Sequence, residues 1–98
     1  MSSRCLELVV YTIKEGFLES FLNERMHIVD LLKEMEGYIC IETMHSVSTG
    51  NLYVDMVYWD HPDNAKSAKQ KFRELVNYDA FMANVEEVVF DDRFVSHL

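Results

Sequence analysis

Residues 38–59 read YICIETMHSVSTGNLYVDMVYW, and their reading decides the fold. Two runs within them, Tyr38–His45 and Leu52–Trp59, are rich in β-branched and aromatic residues and alternate in polarity, as half-buried strands do. Between them, Ser46-Val47-Ser48-Thr49-Gly50-Asn51 is a polar turn with a Gly-Asn pair, a hairpin signal. An antiparallel hairpin therefore sits at the centre of the chain.

Working outward, the period changes on both sides. Upstream, Phe17, Leu18, Phe21, Leu22, Ile28, Val29, Leu32 and Met35 recur at three- and four-residue steps, which predicts an amphipathic helix over 17–35. Gly37 stands where a left-handed residue would end it. Before that helix, Leu6–Ile13 reads as a strand. Downstream, Asp60-His61-Pro62-Asp63 predicts a helix start, with Asp60 as the capping carboxylate and an early proline that forfeits only an unused N–H. Ala65, Ala68, Phe72 and Leu75 form a thinner apolar stripe. Asn77-Tyr78-Asp79 interrupts it, 81–85 reads as one further helical turn, and Val88–Val95 as the last strand. The order β-α-β-β-α-β predicts an α+β, ferredoxin-like domain over 1–98, with a four-stranded antiparallel sheet and both helices on one face.

Strand residues alternate between faces, so each strand divides by parity. Leu6, Leu8, Val10, Thr12, Ile39, Ile41, Leu52, Val54, Met56, Tyr58, Phe90 and Phe94 make a nearly all-apolar set, which is expected beneath the helices. The complementary set mixes Val9, Ile13, Met44, Val57 and Trp59 with Glu7, Glu42 and Asp55. Such a surface is too apolar for open solvent and too charged for a core. It is expected to meet a second subunit, in a homodimer formed through the sheet face, with Arg93 pairing the carboxylates.

Composition narrows the partners. The 98 residues carry a net charge of −8 and scattered Lys and Arg, which disfavours nucleic acid and anionic membrane surfaces. No apolar run approaches a membrane span, and Met1-Ser2-Ser3-Arg4 leads into a strand without a secretory signal, so a cytoplasmic protein is expected. Cys5 and Cys40 suggest buried free thiols rather than a disulfide framework. His27 falls on the solvated side of the first helix, and neither His61 nor His97 has metal-ligand spacing, so no metal site is expected.

The β-α-β-β-α-β order, Gly37-Tyr38 opening the second strand, Tyr58-Trp59-Asp60 closing the third and Asp79-Ala80-Phe81 late in the second helical region together resemble the antibiotic biosynthesis monooxygenase family of the dimeric α/β barrel superfamily. That resemblance implies sheet-to-sheet dimers with a pocket between sheet and helices in each subunit. The activities it implies include cofactor-independent oxygenases of polycyclic phenols, quinol-type oxygenases and haem-degrading enzymes. The haem-degrading pattern needs an Asn on the first strand, which is missing, and a Trp and a His where this chain has Leu75 and Val85. The expectation is a cofactor-independent, monooxygenase-like oxidoreductase acting on a small aromatic or quinol-type compound. The alternative is a non-catalytic dimeric module of the same fold that binds a small ligand or a partner.

Six residues are candidates for the site. His45, at a strand end, is a possible base because its imidazole titrates near neutrality; the bland reading is a solvated histidine. Tyr58 could donate to a substrate oxygen, or simply bond a backbone group. Asn84 could stabilise an oxyanion, or cap a helix. For substrate contact, Trp59 could stack on an aromatic ring or anchor an interface, and Tyr78 and Phe81 lie where family pockets open.

Overall fold

The computed structural model describes residues 4–75 and 77–96. Met1-Ser2-Ser3 and His97 lie outside them, and with them the expectations placed on the N-terminus and on that histidine. The elements are β1 (Cys5–Ile13), α1 (Leu18–Lys33), β2 (Tyr38–His45), β3 (Leu52–Trp59), α2 (Pro62–Arg73), α3 (Tyr78–Met82) and β4 (Val85–Val95). The sheet order is β2-β3-β1-β4 and each pairing is antiparallel. This is the ferredoxin-like α+β arrangement expected from the sequence: each helix carries the chain past one strand position, so β3 fills the gap between β1 and β2.

Local chemistry explains the boundaries. The β2–β3 turn is closed by Ser46, whose Oγ accepts from the backbone N–H groups of Ser48 and Thr49. Gly37, after α1, has φ +84, and a Cβ there would stand 2.3 Å from Asp60 Oδ1 and 2.6 Å from Asn64 Nδ2. Only glycine fits both the dihedral and the space. The cap of α2 differs from expectation: His61 is the N-cap and its Nδ1 accepts from Asp63 N at 3.0 Å. Asp60 instead accepts from Asn64 Nδ2 at 2.7 Å, tying the helix start to the Gly37 corner. The further helical turn also lies earlier than expected. Asn84 Nδ2 donates to the carbonyls of Ala80 and Phe81, closing α3, and Val85 already belongs to β4.

The faces of the sheet are the main correction. Cys5, Glu7, Tyr11 and Ile13 of β1, and Val57 and Trp59 of β3, are buried. They face the helices, packing with Phe21, Ile28, Leu32, Ala65, Ala68 and Phe81. The register places Ile41 opposite Val57 and Thr43 opposite Asp55, so these residues of β2 share that side, and a register shift before Cys40 brings Tyr38, rather than the expected Ile39, onto it opposite Trp59. The apolar set of Leu6, Leu8, Val10, Val54, Met56 and Tyr58, with Phe90 and Phe94, therefore lines the face away from the helices. In β1, β3 and β4 the two parity sets thus face the sides opposite to those expected from the sequence. The reason is physical: the charges that argued against a core face do not sit in a close-packed core, because the helices span a cavity there.

Candidate functional site

Between the sheet and the helices lies a cavity of about 350 Å³. That is at the small end of the ~300–1,000 Å³ typical of small-molecule sites. Its walls are largely aromatic and aliphatic: Tyr11 and Trp59 from the sheet, Phe72 from α2, Tyr78 and Phe81 from α3. The rings brace one another, with Phe72 against Tyr78 at 5.1 Å and Phe81 against Phe21 at 5.5 Å between centroids. Edge-on and tilted packing of this kind holds the wall rigid.

Two polar groups of residues interrupt the apolar lining. The first centres on Asp55. Its Oδ1 accepts from Tyr11 Oη at 2.9 Å and from Thr43 Oγ1 at 2.5 Å. Thr43 Oγ1 accepts in turn from Arg25 Nε at 3.2 Å and from Nη2 of the same guanidinium. A chain of donors thus runs from α1 across β2 to a carboxylate on β3, with β1 supplying the phenol. Burial pushes the Asp55 carboxyl above its ordinary value, while Thr43, Tyr11 and Arg25 oppose that rise. Burial, and then the neighbouring Asp55 charge, push the Tyr11 phenol far up, so it stays a donor. The arrangement holds a carboxylate whose proton affinity exceeds that of an exposed one, beside a cavity able to take an aromatic molecule.

The second centres on Glu7, which is 8 % exposed. Lys69 Nζ lies 3.9 Å from Glu7 Oε2 and bonds the Asp91 carboxylate. Burial raises the Glu7 carboxyl; Lys69 lowers it, Asp91 raises it, and Arg93 and the Trp59 indole lower it. Among the described residues, the buried side-chain polar atoms without a hydrogen-bond partner are Glu7 Oε2 and Trp59 Nε1. Both residues line the cavity. On the sheet, Glu7 pairs with Val57 and Asp55 with Val9, so the two carboxylates are diagonal neighbours on adjacent strands, about 7–8 Å apart at Cα.

The six sequence candidates divide between the cavity and its surroundings. Trp59, Tyr78 and Phe81 line it. His45 is exposed at the end of β2; its Nδ1 lies 3.2 Å from the Ser46 carbonyl and its ring 6.0 Å from Tyr53. It borders a separate, more open hollow with Phe21, Leu22 and Thr43. Tyr58 turns to the opposite face of the sheet, where the Arg4 guanidinium lies 5.4 Å from its ring centre. Asn84 is buried at 1 % exposure but spends its amide closing α3.

The sequence pattern assigns no role to Arg25, Thr43 or Tyr11, and it places Glu7 and Asp55 as interface charges. A signal for Arg25 existed: it falls between Phe21, Ile28 and Leu32 at helical spacing, a cation within a buried stripe. Thr43, one strand position from Ile41 and paired with Asp55, became visible only with the register.

Comparison with known proteins adds the fold and little sequence. No family model matches the chain, and no curated protein matches it. Among solved structures, SnoaB, a cofactor-independent oxygenase from Streptomyces nogalater, superposes with a TM-score of 0.79 at 13 % identity, covering 99 % of this chain and 96 % of that one. A proposed antibiotic biosynthesis monooxygenase from Nitrosomonas europaea gives 0.76 at 11 % identity, covering 98 % and 92 %. A conserved protein from Methanosarcina mazei gives 0.80 at 7 %, covering 98 % and 95 %. At such identities the likeness is one of fold, and at that level the family resemblance holds.

Proposed function

We propose that the chain is an oxygenase-type enzyme that takes a small aromatic or quinol-type compound into the helix-side cavity and uses Asp55 as the proton acceptor. One observation carries this: a carboxylate raised by burial, held by two donors, at the wall of an aromatic cavity. An electron-rich substrate with an acidified O–H or C–H loses that proton to Asp55. The resulting anion passes electrons to dioxygen and a C–O bond forms at the activated carbon. For a methylene carbon the O–O bond then breaks, one oxygen leaves as water and the other remains as a carbonyl, so CH2 and O2 become C=O and H2O. The substrate supplies all four electrons. Trp59, Tyr78 and Phe81 hold the ring, and Tyr11 and Thr43 orient the carboxylate. The fold shared with SnoaB, itself a cofactor-independent oxygenase, supports this reading.

The test is oxygen uptake with a panel of naphthols, hydroquinones and anthrone-type compounds, comparing wild type with Asp55→Asn. The expected result is uptake with at least one compound, falling about 100-fold or more in the variant, as removal of a general base does. Tight binding without oxygen consumption would instead favour the ligand-binding module.

The chain works, in this proposal, as a homodimer. The sheet face away from the helices exposes Met44, Phe90 and Phe94 at 48 %, 43 % and 44 %, beside Leu6, Leu8, Val54 and Met56. A patch of that character on a small domain is a surface for a second copy.

A further inference from the structure

At the Glu7 end of the cavity, Glu7 Oε2 and Trp59 Nε1 make no well-formed hydrogen bond among the described residues, and the cation facing the carboxylate, Lys69, stands 3.9 Å away. Trp59 is 1 % exposed and Glu7 8 %, so neither orphaned atom meets bulk water. A buried polar group left unpaired costs about 1–3 kcal/mol, and a folded chain keeps two together only where something else completes them. The indole N–H lies close enough to Glu7 to favour its ionised form, but the approach falls short of a well-formed hydrogen bond. A group that donates to one and accepts from the other would complete both.

We infer that this end of the cavity is a subsite for a hydroxyl of the ligand, which donates to Glu7 Oε2 and accepts from Trp59 Nε1. A hydroxyl has one donor and acceptor lone pairs, and fits this bridge. An anionic oxygen could accept from the indole but would be repelled by Glu7 and Asp91, and an ammonium has no acceptor for the indole. Lys69, paired with Asp91 and 3.9 Å from Glu7, holds the acceptor in place. Resting on the proposed reaction at Asp55, the inference narrows its substrate class. The compound is a one- or two-ring aromatic with polar groups at both ends: one at Asp55 and a hydroxyl at the Glu7–Trp59 pair.

Calorimetric titration of the purified chain with two probes tests this: a naphthalenediol with hydroxyls on opposite rings, and the corresponding naphthol with one. The diol should bind about tenfold more tightly, the worth of one well-made buried hydrogen bond. Trp59→Phe should bring the two probes within about twofold of one another, since the donor that distinguishes them is gone. Equal affinities for the two probes in the wild type would overturn the subsite and leave the aromatic cavity standing; the pair would then be completed by a water or by each other. If neither probe binds, the aromatic reading fails and the subsite with it. Because the wild-type comparison needs no variant, a poorly folded Trp59→Phe does not remove the test.

Discussion

Asp55 occupies a position whose two demands conflict. Its carboxylate is needed as a proton acceptor, yet burial disfavours the charge. The folded-state value lies above the unfolded one, so the native chain holds the proton more tightly than the unfolded chain. Stability is therefore undiminished by this group in acid and falls as pH rises through the interval between those two values. Asp55→Asn keeps an acceptor for Tyr11 and Thr43 and removes the charge. It should raise the melting temperature by a few degrees, ~1 kcal/mol, near neutral pH, with the gain vanishing below the ordinary aspartate value near pH 4. Calorimetry against pH checks this, and a pH-independent effect would locate the change in packing instead. Activity should show the mirror image: in the wild type, kcat/KM rises with pH along a limb set by a carboxyl titrating above that ordinary value. His45, exposed and outside the cavity, should be dispensable: His45→Ala is expected to leave turnover within about twofold, and a large loss would return it to the mechanism. Trp59, Tyr78 and Phe81 could be proposed from sequence because aromatic residues at element ends are visible. Thr43 and Tyr11 could not, and Arg25 stood out only as a cation in the apolar stripe of α1, because their roles exist only as a hydrogen-bonded chain across α1, β2, β3 and β1.

At the scale of elements, β2 and β3 lie where the alternation placed them, Tyr38–His45 and Leu52–Trp59, since both alternate strongly and are bounded by polar turns. Boundaries moved where a side chain competed for the cap. His61 replaced Asp60 as N-cap because Asp60 is drawn to Asn64 beside Gly37. The junction of α1, β2 and α2 therefore depends on a missing side chain. Gly37→Ala should destabilise the fold by about 1–3 kcal/mol, from positive φ together with the clash on Asp60 and Asn64. Chemical denaturation measures it; a loss below ~0.5 kcal/mol, the scale of a neutral surface change, would mean that the corner rearranges freely. Phe17, Leu18 and Leu22, in the apolar stripe of α1 by spacing, are 43–49 % exposed, because the helix turns Phe21, Ile28 and Leu32 inward.

For the whole molecule, the orientation of the sheet faces determines which substitution tests the dimer. Val57 is 5 % exposed and packs beneath the helices, so Val57→Glu would damage the core and say nothing about an interface. Val54, on the opposite face, is the informative position. Val54→Glu should shift the mass in solution from dimer to monomer, with the far-ultraviolet spectrum of the fold retained; like charges brought together across a two-fold contact cost several kcal/mol. A wild-type chain that is already monomeric by light scattering would remove the dimer from the proposal.

The strand and helix order and the ferredoxin-like topology could be read from the sequence by itself, because the change of period between two and 3.6 residues is a local property and the short connections leave few topologies. Which side of the sheet faces the helices was decided only by tertiary structure. Parity within a strand is relative, and both faces of this sheet are apolar enough to be covered. The helices span a cavity rather than a filled core, so the charged face is the one they cover. Glu7, Asp55 and their donors meet there because four separated segments converge, a proximity that no local pattern encodes.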